Sequence, residues 1–398
     1  MKMLSDLQPV GYLYTAIAVS ATFLIPGSSL AQQISAGPKQ DDASIRAYWT
    51  PERLANATPM SEHPTNAQRN GLPVGTEPIS PGTVGTIPGG SDSASAAFGD
   101  QAPPTNLEDW TQQIYTPKQL TESQAAGDVI PQSSSTYGYP YTETKVFPTA
   151  NAWPYRATGK LYFTVTKSGG IDTPGNWLCS ASVIAKRIVV TAGHCVGSPL
   201  VGVVGGAGFI YYSNWLFIPN FTNGTGSDGS WTWSSAVAGN GWVIGNGSFP
   251  NAEDWGFLVM NDLNGVTIAT KVGHYGYSIN ALSGNNVTLL GYPGNLDGGL
   301  YMEQTQGQVN AYSSNTYIVG TASGPGASGG PWLLGFGKAP SCSGSGCPTG
   351  VNGLGINDVV GVDSYGPAGT IGFAGASEFN SDWLTELTTL CNAASGNC

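Results

Sequence analysis

Past Tyr155 the chain is punctuated by short runs of β-branched and aromatic residues bounded by Gly, Asn and Pro, the pattern of strands joined by tight turns. Gly159–Thr166 opens the series, and Ser182–Ile184 and Arg187–Thr191 follow it. Further strands are predicted at Val201–Tyr212, Trp231–Ile244, Trp255–Met260, Asn286–Gly291, Gly307–Ala311, Thr316–Val319 and Val359–Asp363. Short strands at this spacing make an all-β barrel or sandwich. Only the tail reads as helix: Trp383, Leu384, Leu387 and Cys391 recur at helical spacing behind Asn380 or Ser381, either of which suits an N-cap.

Upstream the texture is different. From Gln32 to about Glu143 the chain is rich in Pro, Gly, Ser, Thr, Asn and Gln with few alternating apolar runs, and Pro78–Gly99 reads as linker. Two pieces opened by Thr-Pro, Pro51–Ala57 and Pro117–Ala126, suit short helices, because Pro fits a first helical turn. At the start, Lys2, an apolar stretch from Val10 to Ile25 and the run Ser29-Leu30-Ala31 have the layout of a secretory signal cleaved after Ala31. Interrupted by Ser20 and Pro26, the stretch is short for a membrane span. The expected order is a signal at 1–31, a largely disordered pro-segment at 32–145, and then the structured chain.

Composition sharpens this. The 398 residues include 57 Gly and 27 Pro but only 10% charged residues, which disfavours long solvated helices. A net charge of −11 lacks the basic footprint that nucleic acid or an anionic membrane demands. Six cysteines form an even set in a chain that reads as exported, where thiols oxidise. They fall into sequence-local pairs without Cys-x-x-Cys spacing, so disulfides are expected and a metal is not. Proximity pairs Cys342 with Cys347 and Cys391 with Cys398. Sequons stand at Asn56, Asn220, Asn223, Asn246 and Asn286 and would carry glycans in a eukaryotic host.

Candidate chemistry starts at Gly326-Ala327-Ser328-Gly329-Gly330-Pro331. A serine between glycines sits in a tight turn whose N–H groups converge near its hydroxyl, although in a glycine-rich chain such a stretch is also an ordinary turn. A serine hydroxyl needs a neighbouring base. Of three histidines, His63 lies in the low-complexity segment and His274 has no acidic companion, whereas His194 ends the apolar run Val189-Val190-Thr191 and is followed by Cys195. The carboxylate to orient that ring is Asp254, which leads directly into the apolar run Trp255–Val259. Glu253, Asp262 and Asp297 compete and look like exposed loop acids.

Together, Thr191-Ala192-Gly193-His194-Cys195, Asp254-Trp255-Gly256-Phe257-Leu258 and Gly326–Pro331 resemble, in order and spacing, the three catalytic segments of chymotrypsin-fold serine proteases. The His, Asp, Ser order differs from the Ser, acid, His order of α/β-hydrolases. The flanking runs Thr158–Phe163 and Leu178–Ser182 are most similar to the V8-like or glutamyl endopeptidase branch, and the resemblance covers about Tyr155 to Leu387. It implies two six-stranded antiparallel β-barrels, at 146–265 and 266–398, the second with the terminal helix. It implies a secreted endopeptidase acting on polypeptides, with Ser328 as nucleophile, His194 as general base and acid, and Asp254 as orienting carboxylate. The N–H groups of Gly326 and Ser328 would form the oxyanion hole, and Cys179 would pair with Cys195. No metal or organic cofactor is needed, and a monomer is expected.

The pattern also departs from the family. Ala327 stands where trypsin-like members carry the aspartate that receives a new N-terminus, so a pro-segment would act by blocking the cleft or guiding folding, with processing expected near Lys145-Val146. The specificity pocket would be lined by Ala322, Ser323, Asp363, Ser364, Tyr365 and Gly366. Ala322 replaces the trypsin-like acid, and Asp363 stands where glutamyl-specific relatives carry histidine, which argues against strict glutamyl specificity. If Asp363 points into the pocket, a weak preference for basic residues follows; otherwise it caps a turn or is solvated. A catalytically silent homologue acting as a binding protein, or an esterase, are the alternatives from other classes.

Overall fold

The computed structural model describes residues 40–60, 85–87, 139–146, 152–166, 173–200, 208–245, 247–313, 316–337, 356–366 and 372–398. Two sheets dominate, both within the unit Ile34–Cys398. The first closes on itself. Its ring runs Gly175–Val183, Thr158–Val165, Ser213–Pro219, Trp231–Ala238, Gly256–Met260 and Ile188–Thr191, which pairs back to Gly175–Val183 through Ser182↔Val190 and Val183↔Val189. Closure removes the free strand edges of an open sheet. Large side chains fill the ring, among them Trp215 and Trp233 in edge contact at 4.5 Å and Phe163 stacked on Tyr212 at 5.1 Å.

The second sheet is curled but stays open. Its path runs Asn310–Ser313, Thr316–Val319, Ala374–Glu378, Asp358–Tyr365, Pro331–Leu334, Asn286–Gly291, Met302–Gln308 and Tyr141–Val146. Gly276–Ile279 joins it beside Asp358–Tyr365. The all-β expectation therefore holds, with one closed six-stranded barrel and one curled sheet. Helix Ser381–Ala393 follows, capped by Asn380, whose side chain accepts from the backbone N–H of Asp382 and Trp383. Trp383 packs on Phe379, Tyr277 and Phe257, so the helix covers residues of both sheets. No described helix is long and apolar enough to cross a membrane.

Several expectations shift. The run Trp231–Ile244 breaks at Gly239, and Asn240–Ile244 is a helix. Ser213–Pro219 is an unforeseen ring strand, entered through Asn214 at φ 55°. The upstream segment is not uniformly unstructured: helices Asp42–Tyr48 and Pro51–Ala55 are capped by Asp41 and Thr50, and Pro51 opens the second as expected. Ile45 and Trp49 are buried, and the Trp49 ring lies 5.5 Å from Tyr162. That contact covers part of Thr158–Val165, and Tyr275 and Phe221 cover Thr158 and Lys160, so the strand is buried along its whole length instead of alternating. Gly85–Ile87, inside the supposed linker, pairs antiparallel with Gly276–Ile279; three residues are too few to show alternation in sequence. The possible helix at Pro117–Ala126, His63, and the Cys342–Cys347 pair lie outside the described residues.

Candidate active site

His194 is carried just past Ile188–Thr191, on the one-turn helix Gly193–Cys195. Gly193 has to be glycine, because a Cβ there would press on the Trp242 ring and on Asp254. Asp254 precedes Gly256–Met260, which pairs with the histidine's own strand through Gly256↔Thr191. The two residues, 60 apart in sequence, thus arrive side by side.

Asp254 is fully buried and accepts three hydrogen bonds. Its Oδ1 takes the backbone N–H of His194 at 2.7 Å, and Oδ2 takes His194 Nδ1 at 2.7 Å and the Ser364 hydroxyl at 2.6 Å. A carboxylate can only accept, so the proton on the ring is assigned to Nδ1. Nε2 is then left with its lone pair, buried and without a hydrogen bond. Trp242 and Phe249 stand edge-on to the imidazole at 6.1 and 5.5 Å and exclude water around it.

Ser328 comes from the other sheet. Its carbonyl accepts the Ser180 N–H at 2.7 Å and lies 3.9 Å from Cys195 Sγ, next to the histidine. Ser180 also donates its hydroxyl to the Gly326 carbonyl at 2.8 Å and accepts from Tyr292 N at 2.9 Å, pinning the turn from a second side. Gly329, at φ 78°, has no room for a Cβ beside Thr191 and Ala192. The turn of Ser328 is therefore seated against the residues just before and just after His194. Cys179 and Cys195 are bonded, as are Cys391 and Cys398. Cys179, Cys195 and His194 cluster within metal-ligand distance, but both sulfurs are in the disulfide and provide no thiolate.

The competing acids lie elsewhere. Asp262 pairs with Arg187, Asp297 with Lys145, and Glu253 accepts from Gly241 N at 2.6 Å. His274 Nδ1 lies 3.1 Å from the neighbouring Tyr275 carbonyl, and among the described residues it has no acidic hydrogen-bond partner. Of the sequons, Asn56, Asn223 and Asn286 are exposed, whereas the Asn220 side chain is buried on Asp228 and has no room for a glycan.

The expected pocket residues divide. Ala322, Ser323 and Gly366 are half-buried, while Tyr365 is packed against Tyr312 and Gly375. Ser364 is committed to Asp254. Asp363 is neither solvated nor a turn cap. It is buried, its Oδ1 makes no hydrogen bond, and burial followed by the charge of Asp254 pushes its pKa up to about 7.

Two contacts beside the candidate site come from residues no motif flagged. Glu143, on Tyr141–Val146, accepts from Ala322 N at 2.7 Å and Ser323 Oγ at 2.9 Å. Met60 is the last described residue of the upstream arm, 40–60: Thr58–Pro59 pairs parallel with Trp177–Leu178, Met60 N donates to Leu178 O at 2.9 Å, and Met60 O accepts from Gly326 N at 2.9 Å. Ser328 and His194 are 0 and 1% exposed.

No family model matches the chain. A glutamyl endopeptidase of Bacillus licheniformis is 30% identical over 219 residues, covering 54% of this chain and 58% of that protein's own length. Among solved structures, the protease Anisep from Arthrobacter nicotinovorans is 26% identical, with a TM-score of 0.48 over 62% of this chain and 98% of its own. A thermostable serine protease, AL20, from an extremophilic microorganism is 22% identical, with a TM-score of 0.47 over 60% and 98%. With a glutamyl endopeptidase as sequence relative and an all-β fold holding a closed six-stranded barrel, this chain resembles the chymotrypsin-fold serine proteases on their V8-like side.

Proposed function

We propose that the chain is a secreted serine endopeptidase made as a zymogen. The observation that carries the reading is the buried His194–Asp254 pair, with a bare Nε2, against which the turn of Ser328 is seated. Ser328 Oγ attacks the scissile carbonyl as His194 Nε2 takes its proton, and the imidazolium then protonates the leaving amine. Asp254 holds the ring and stabilises its positive charge. Ser364 and the His194 N–H keep Asp254 in place. The backbone N–H groups of Gly326 and Ser328 stabilise the tetrahedral oxyanion, each worth about 3 kcal/mol.

In the full chain the Gly326 donor is already taken by Met60. The arm is held by Trp49 Nε1 on Asn214 O at 2.6 Å, Arg46 on Ser230 O at 2.9 Å and Asp42 on Thr232. It therefore blocks the cleft instead of supplying a new terminus to an aspartate, in keeping with Ala327. Tyr141–Val146 pairs residue for residue with Met302–Gln308, so the release point belongs upstream of Tyr139 and not at Lys145-Val146.

A fluorophosphonate probe and casein test the reading on the full chain and on the chain cut between 88 and 138. The cut chain labels stoichiometrically at Ser328 and digests casein, and Ser328→Ala loses both. The full chain labels about a hundredfold more slowly, the cost of an occupied oxyanion donor. A cut chain that does not label is a silent homologue, and one that turns over esters but not peptides is an esterase.

A further inference from the structure

We infer that Glu143 is the specificity-determining acid of the pocket, and that the enzyme cleaves after lysine and arginine. The inference rests on the endopeptidase reading above.

Ala322 and Ser323, six and five residues before the nucleophile, have no acidic side chain of their own. A carboxylate nevertheless stands on them. Glu143 Oε2 accepts from Ala322 N at 2.7 Å and more distantly from Thr321 Oγ1 at 3.4 Å, and Oε1 accepts from Ser323 Oγ at 2.9 Å. Thr321 is fixed in turn by Thr305 Oγ1 at 2.8 Å, and Thr305 is the cross-strand partner of Glu143. Asn295 holds the Ala322 carbonyl at 2.8 Å. The acid is thus oriented from three sides by neutral donors, and its charge is not cancelled: among the described residues Glu143 forms no salt bridge.

A carboxylate offers about four lone-pair sites, so Oε1 keeps room for an incoming donor. Burial first, then Asp297 and Glu143, raise the nearby Glu303 carboxyl to about 7, with Lys145 opposing. A substrate carboxylate brought to Ser323 would meet Glu143 already on that hydroxyl and would be repelled, whereas an ammonium or guanidinium finds a fixed, unpaired partner. The acid comes from a strand some 180 residues upstream, so the pocket segment alone reads as neutral.

Profiling the cut chain on a peptide library decides the matter. Once Ser328 has been shown to react with the probe, cleavage after Lys and Arg is expected to dominate. Glu143→Gln lowers kcat/KM for those substrates about a hundredfold, as removal of one partner from a desolvated charge pair does, and Glu143→Asp recovers part of it. Glu143→Lys moves the preference toward acidic residues, a gain that mere damage to the fold cannot produce. A wild-type preference for glutamate or for neutral residues, or an unchanged preference in Glu143→Lys, overturns the assignment while the labelled serine leaves the endopeptidase reading intact. Failure to label overturns both.

Discussion

The two sheets solve different problems. In the closed ring every strand is paired on both sides, and the ring delivers His194 and Asp254 from adjacent strands with the carboxylate held by three donors. Among the described residues the curled sheet ends on two unpaired edges, and one of these is formed by Tyr141–Val146, which brings Glu143 to Ala322 and Ser323. Closure suits a proton-transfer pair that has to keep one geometry. An open edge lets a segment from elsewhere in the chain be fitted beside the proposed pocket without disturbing that pair. Charge follows the same division. The acids raised to about 7, Glu303, Asp363 and Glu378, all belong to the open sheet, and burial is the first cause for each.

The largest effect that tests this contrast comes from the closed ring. Asp254→Asn keeps the volume but offers His194 the wrong partner, and kcat should fall by about 10⁴ with little change in KM. A fall in KM-driven efficiency alone would mean that the pair is not a rigid delivery device. Next is the staple: replacing both Cys179 and Cys195 by serine opens a 16-residue loop and should cost about 3 kcal/mol of unfolding free energy, read from urea titration. A loss confined to activity, with stability unchanged, would contradict the disulfide's part in holding the ring.

The last effect concerns pH and the open sheet. Between the ordinary carboxyl pKa near 4 and their raised values, the three acids stay protonated in the folded chain while the unfolded chain has released those protons. Their contribution to stability is therefore full below about pH 4 and is lost as pH climbs to about 7, after which it is flat. The denaturation midpoint should fall across that window. Glu378→Gln, whose carboxyl accepts from Leu282 N at 2.8 Å, should remove part of the slope. An unchanged slope would dissociate the pH response from that residue.

Much of the ring and the whole candidate triad were legible in sequence because each lies in a local run: a β-branched strand ending at His194, an apolar strand beginning after Asp254, a glycine turn around Ser328. What escaped depends on partners far away in the chain. Glu143 and Met60 act through residues 180 and 266 positions downstream, at Ser323 and Gly326, and their own neighbourhoods look like the polar text around them. Tyr141-Thr142-Glu143-Thr144-Lys145-Val146 did carry a signal, since its β-branched residues at every second position suit a strand, but the surrounding Pro, Gly and Ser masked it. Gly85–Ile87 was too short for any pattern. For Asp363 the sequence left open a pocket acid, a turn cap or a solvated acid, because sequence does not reveal burial; its place beside Asp254 goes with the neighbouring Ser364.

The bond between Cys179 and Cys195 has a consequence beyond rigidity. Cys195 directly follows His194, and Cys179 directly precedes Ser180, whose N–H and hydroxyl hold the carbonyls of Ser328 and Gly326. One covalent link thus anchors both the loop of His194 and the turn of Ser328. In a reducing compartment that link does not form, and the two loops lose their common anchor. On the proposed endopeptidase reading, oxidation of this one bond would be needed to complete the site, a requirement separate from the contact of Met60 with Gly326.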